Sequence, residues 1–138
     1  MAAKDLFHHA VKQALLKDKW VITADPLTLK IEGIKLEIDL AAEKVLAAER
    51  AGRKIAVEVK SFLNPSAITD FHLALGQFLN YRLALQMTEP ERTLYLAVPV
   101  DTFISFFQER LIQEAVKLYE IKLVIYNPLE EEIIEWEE

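Results

Sequence analysis

Asp39, Glu58 and Lys60 are the residues of this 138-residue chain whose types and spacing best suit chemistry. Carboxylates are hard oxygen ligands for Mg²⁺ or Mn²⁺, and an ammonium group beside them orients or activates a water. Acting on a phosphodiester, the cation offsets charge on the scissile phosphate while Lys60 stabilises the attacking hydroxide or the transition state. Both carboxylates must be ionised for this. The same three residues also suit an exposed strand face carrying a surface ion pair, so their value depends on the elements that hold them.

Ile34, Leu36, Ile38 and Leu40 alternate with Lys35, Glu37 and Asp39, the pattern of one half-buried strand ending near Asp39. Ile55, Val57 and Val59 alternate with Ala56, Glu58 and Lys60, which puts Glu58 and Lys60 on the same face of a second strand. Between them, Ala41 to Ala51 has helix-forming composition, but Val45 and Leu46 before the polar Arg50-Ala51-Gly52-Arg53 favour a hairpin. Asn64-Pro65 ends the second strand. Ser66 then caps a helix to about Met87, on which Ile68, Phe71, Leu75, Phe78, Leu79 and Leu83 recur at helical spacing. Gln77 and Tyr81 are four apart on that helix and share a face able to point at the strand ends, with Arg82 beside them. A core tyrosine with a satisfied hydroxyl is the competing reading for Tyr81.

The remaining pattern predicts a helix over 5–17, short strands over 20–23 and 27–31, a strand over 93–98, an amphipathic helix over 102–118, a strand over 122–126 and an edge strand over 133–136. A mixed sheet flanked by helices in a single α/β domain over 1–138 accommodates this order.

Other polar groups carry less. His8 and His9 diverge by about 100° on a helix and cannot chelate one metal together. Ser61 has no histidine near it in sequence to act as its base. Lys44, Arg50, Arg53 and Lys54 suit a solvated hairpin as well as a phosphate-contacting edge. The chain has no cysteine, which excludes disulfides, thiolate ligands and a cysteine nucleophile. Its net charge of −6 comes from the six glutamates of the last nine residues, and the preceding segment is balanced. That tail suits a solubilising end, a shield against DNA or a docking strand. Neither a membrane span nor a secretory leader is visible, so a cytoplasmic location is expected.

Asp39, then Glu58-Val59-Lys60, then Gln77 and Tyr81 resemble the PD-(D/E)xK nuclease pattern with the Gln-x-x-x-Tyr helix of its RecB-like branch, although Ile38 stands where that pattern has proline. The resemblance implies a restriction-endonuclease-like core, with Asp39, Glu58 and the Val59 carbonyl as metal ligands and Lys60 as the catalytic lysine. It implies that Gln77 and Tyr81 support the site and bind phosphate. More specifically, Lys4-Asp5, Leu16-Lys17-Asp18, the run from Ile22 to Leu27, Ile38 to Lys44, Ile55 to Phe62, Ala74 to Gln77, Glu89 to Arg92, Leu94 to Pro99 and Asn127-Pro128 resemble the XisH family, the fdxN-element excision controlling factors of cyanobacteria. That implies a role in DNA excision alongside a separate recombinase and a XisI companion, with DNA as a partner and, by precedent, a homodimer. It implies a role rather than a reaction. Mg²⁺-dependent hydrolysis of DNA and non-catalytic regulation both stay open.

Overall fold

The computed structural model describes residues 3–44 and 52–138. In chain order the elements are α1 (Ala3–Lys17), β1 (Val21–Ala24), β2 (Leu27–Ile31), β3 (Ile34–Ile38), β4 (Leu40–Lys44), β5 (Arg53–Val59), α2 (Ala67–Thr88), β6 (Arg92–Pro99), α3 (Val100–Ile104), a 3-10 turn (Phe106–Gln108), α4 (Arg110–Leu118), β7 (Leu123–Asn127) and β8 (Glu132–Glu137). Six strands form a mixed sheet in the order β1-β4-β5-β6-β7-β8, and β2 and β3 form a separate hairpin. β5, β6 and β7 run parallel, while β1, β4 and β8 are antiparallel to their neighbours. Helices between parallel strands are the connection that such strands require, and α2 and α4 supply it.

Both faces of the sheet are buried, which is why the central strands read as nearly continuous apolar runs. On one face Leu40, Ile55, Val57, Tyr95, Ala97 and Val124 pack against Val11 and Leu15 of α1. On the other, Ala56, Leu94, Leu96, Val98 and Ile125 pack against Phe71, Ala74, Phe78 and Leu85 of α2 and Ile112 of α4. The Ser66 side chain accepts the Thr69 N–H, so α2 starts where its cap predicts. Among the described residues no helix is long and apolar enough to cross a membrane.

Two expected elements are divided. The alternating run from Ile34 to Leu40 is broken at Asp39: Ile38 belongs to the α2 side and Leu40 to the α1 side, because the chain there leaves the hairpin and enters the main sheet. The helix expected over 102–118 is interrupted between Ser105 and Glu109, where Phe106 and Phe107 pack against Phe62 and Phe71. The hairpin expectation holds in that β4 pairs antiparallel with β5, while residues 45–51 lie outside the described ones.

The acidic tail is integral to the sheet. β8 pairs with β7, and Trp136 packs on Trp20 and Tyr95 with ring centroids 5.7 and 4.9 Å apart. The Tyr95 hydroxyl donates to Glu138 and accepts from Arg53. Replacing Trp136 with Ala should therefore destabilise the fold by about 2–3 kcal/mol, read as a lower urea midpoint. An unchanged midpoint would mean that the tail is only a solubilising appendage.

Candidate functional site

Asp39 and Glu58 meet because β4 and β5 pair with Leu40 opposite Val57, which makes the two acidic residues cross-strand neighbours. Their contact is reciprocal. The Asp39 N–H donates to Glu58 Oε1 at 3.2 Å, and the Val59 N–H donates to Asp39 Oδ2 at 2.8 Å. Each carboxylate thus uses one oxygen to hold the other strand in place. Lys60 Nζ lies 3.4 Å from Glu58 Oε2, as their shared strand face predicts. The Lys60 main chain is fixed as well, its N–H donating to the Ala97 carbonyl at 3.0 Å and its carbonyl accepting the Tyr126 hydroxyl at 3.3 Å. The cluster sits at the carboxyl ends of the parallel strands, where open α/β sheets bind ligands.

Glu58 is only 6% exposed and is the one buried charged residue among the described positions. Burial and, after it, the Asp39 charge push its carboxyl up to about 7, against the opposing pull of Lys60 and the Asp39 N–H. Tyr81 lies in the field of the same carboxylates: its phenol is pushed up by burial first, then by Glu58, Asp39 and Glu37. Gln77 shares the inward side of α2, and its Oε1 is buried without a hydrogen-bond partner among the described residues. Arg82 turns away. It donates to the Tyr119 and Glu120 carbonyls at 2.9 and 2.8 Å and so fastens the end of α4.

A cleft of about 310 Å³ opens in front of this cluster, lined by Asp39, Val59, Lys60 and Ser61, by Phe7 and His8 of α1, and by Asn64, Asp70 and Leu73 at the start of α2. Spacing alone does not reveal that His8 belongs there. In the fold it is hydrogen-bonded through Nε2 to Asp25 at 2.8 Å, and Asp25 also accepts from Lys12 at 2.8 Å. Asn64 and Asp70 close the rim through a 2.6 Å hydrogen bond. Phe62 adopts φ 55°, a backbone region unusual for a bulky residue, and its ring is held among Phe106 and Phe107. The cations of the β4–β5 hairpin are paired, as a solvated hairpin of mixed charge has them: Lys44 with Asp18 at 3.6 Å, Arg53 with Glu138 at 3.3 Å and Lys54 with Glu91 at 3.9 Å. Arg50 lies outside the described residues.

Among the described residues no three histidine, aspartate or glutamate side chains gather into a metal-binding group. The chain offers two carboxylates at one place. That donor set suits a small hard cation that keeps most of its waters and takes its other oxygens from a phosphate, and it does not suit zinc.

These features define an α/β protein with a paired-carboxylate cleft at the end of a mixed sheet. The chain belongs to the XisH protein family, whose model matches residues 1–134. It is similar over 97% of its length, at 50% identity and a TM-score of 0.88, to all of an XisH family protein from Nostoc punctiforme PCC 73102. It is similar to the same degree to a fdxN element excision controlling factor protein from Anabaena variabilis, of which it covers 99%. No curated protein matches it.

The raised Glu58 pKa has a consequence for stability. A carboxyl that protonates more readily folded than unfolded stabilises the fold fully below its ordinary value near 4.5 and loses that contribution as pH rises to about 7. Glu58→Gln removes the titration. Between pH 4.5 and 8 the variant should gain about 2–3 kcal/mol relative to the wild type, measured by urea unfolding at each pH. Parallel stability curves for the two proteins would show that Glu58 does not titrate in that window.

Proposed function

We propose that the chain is a DNA-element excision controlling factor built on a restriction-endonuclease-like, PD-(D/E)xK core, and that its cleft hydrolyses a DNA phosphodiester with Mg²⁺ or Mn²⁺. The observation that carries the proposal is the interlock of Asp39 with Glu58 and Val59, with Lys60 Nζ beside Glu58, at the ends of the parallel strands. The excision role is supported by the name of the Anabaena variabilis protein to which the chain is half identical.

In this reading Asp39, Glu58 and the Val59 carbonyl would hold the cation, whose charge would offset that developing on the scissile phosphate. Burial and the Asp39 charge hold the Glu58 proton up to about pH 7, so Glu58 must give up that proton to serve as a ligand. Lys60, anchored through both its N–H and its carbonyl, presents an ammonium that orients the attacking water and stabilises the transition state. Gln77 and Tyr81 brace the site from α2 and contact phosphate. The unpartnered Gln77 Oε1 and the electrostatic proximity of Tyr81 to both carboxylates support that assignment.

Charge favours a second reading, a non-catalytic regulator that uses the cleft to bind a XisI-like protein or DNA. Lys12, Lys44, Arg53 and Lys54 all have carboxylate partners, and Asp70 lies on the cleft wall, so little free positive charge surrounds the site.

Calorimetry with Mg²⁺ and Mn²⁺ and cleavage assays on single- and double-stranded DNA separate the two. Asp39→Ala and Glu58→Ala should each abolish metal binding and cleavage, whereas Lys60→Met should keep metal binding and lower cleavage by about 100-fold or more. Metal binding without cleavage of any DNA form would leave the regulator reading standing. Absence of both would remove the metal site altogether.

A further inference from the structure

Lys60 serves the attacking side of the proposed hydrolysis, and the departing oxygen still needs a proton. A sugar alkoxide is a strong base and leaves readily only as the alcohol, so an acid within its reach lowers the barrier. In an in-line displacement the attacking and departing oxygens lie on opposite sides of the phosphorus. Lys60 cannot serve both. Ala56, Glu58 and Lys60 alternate along the strand with Ile55, Val57 and Val59, so Lys60 belongs with Glu58, 3.4 Å away, to the α2 face of the sheet.

His8 comes from the other side. It stands on α1, which packs on the opposite face of the sheet, and it lines the same cleft as Asp39, Val59 and Lys60. Its Nε2 lies 2.8 Å from Asp25 Oδ1, and Lys12 Nζ holds Asp25 Oδ2 at 2.8 Å. Burial raises the Asp25 carboxyl, but Lys12 and His8 together outweigh burial and bring it below its ordinary value. An ionised Asp25 only accepts, so Nε2 carries the hydrogen of that bond. Nδ1 makes no hydrogen bond among the described residues and is the nitrogen left to exchange a proton with a bound substrate. The side chain is 30% exposed, open enough to be reached and covered enough to be held. A ligand role does not fit it, because His8, Asp39 and Glu58 do not gather into a group able to hold an ion.

We infer that His8 is the general acid of the proposed hydrolysis, giving its Nδ1 proton to the sugar oxygen that departs from phosphorus, with Asp25 and Lys12 as its positioning residues. The bond from phosphorus to the attacking water oxygen forms as the bond to the departing sugar oxygen breaks. The departing oxygen takes the His8 proton and leaves as a hydroxyl, while the attacking water loses a proton to solvent. Neutral His8 then recovers a proton from solvent. Asp25 faces the ring throughout and stabilises its cationic form, and Lys12 fixes the orientation of the carboxylate by occupying its second oxygen. This role rests on the hydrolytic reading of the cleft.

Two substrates in Mn²⁺ test the role: ordinary DNA, and the same strand with sulfur in place of the departing bridging oxygen at the mapped position of cleavage. A thiolate leaves without a proton, so the second substrate needs no acid. His8→Asn should cut ordinary DNA about 100-fold more slowly and the sulfur strand at close to the wild-type rate. Asp25→Asn should show the same selective loss to a smaller extent. Calorimetry should give His8→Asn the Mn²⁺ affinity of the wild type, and its cleavage of the sulfur strand shows that the variant is folded. Equal loss on both substrates would make His8 a structural residue, lost Mn²⁺ affinity would make it a ligand, and undiminished cleavage of ordinary DNA would leave it without a role; each overturns the assignment. A wild type that cuts no DNA is a different failure, since it refutes the hydrolytic reading itself and the acid with it.

Discussion

The interlock of Asp39 with Glu58 and Val59 is the contact on which the rest of the structure turns. At Asp39 the chain passes from the small hairpin to the six-stranded sheet, so the regular ladder is interrupted, and carboxylate oxygens accept the N–H groups of Asp39 and Val59. The arrangement has an electrostatic cost. It places two acidic groups side by side, one of them buried, and drives Glu58 toward the neutral form near neutrality. Lys60 offsets only part of the repulsion. The hydrogen bonds that hold the two strands together and the repulsion between their acidic groups are therefore opposed in the same residues, a conflict common at functional sites.

The layers around this point explain why it is accessible at all. β5, β6 and β7 are covered on both faces, and their carboxyl ends are where the covering stops. Glu58 extends from the α2 face of the sheet, whereas α1 brings Phe7 and His8 to the opening from the other side. The strained backbone at Phe62 turns the chain from β5 toward α2 immediately after Lys60, and the aromatic cluster around its ring holds that turn.

The relative placement of the candidate residues was legible in the sequence because secondary-structure periodicity is local: Glu58 and Lys60 had to share a strand face, and Gln77 and Tyr81 had to share a helix side. The break at Asp39 was not legible. Ile34, Leu36, Ile38 and Leu40 look like one apolar edge, yet Ile38 and Leu40 end in different cores, and alternation does not say which sheet a strand joins. The divided helix after Pro99 is a similar case, since Phe106 and Phe107 are drawn toward aromatic partners more than thirty residues away in sequence. The place of His8 on the cleft wall was not legible for the same reason: only the fold brings α1, Asp25 and the strand ends together. In the glutamate-rich tail the edge strand over 133–136 was legible, but composition did not show that Trp136 and the contacts of Glu138 with Arg53 and Tyr95 anchor it.

α2 ties these observations together. Its inward side carries Phe71, Phe78 and Leu85 into the core, buries the Gln77 Oε1 and brings Tyr81 into the field of the carboxylates, while its outward side carries a second apolar row. That is why a periodic reading found so many apolar residues on it without identifying one buried face: Ile68 and Leu83 match the helical period but are exposed. Leu73 belongs to both regions, since it lines the cleft and begins the outer row. The helix is one continuous hydrogen-bonded rod anchored at its start by Ser66 and toward its end by Arg82, so a load on its outer row is borne by the same backbone that positions Gln77 and Tyr81. Core packing and site geometry therefore share a structural element.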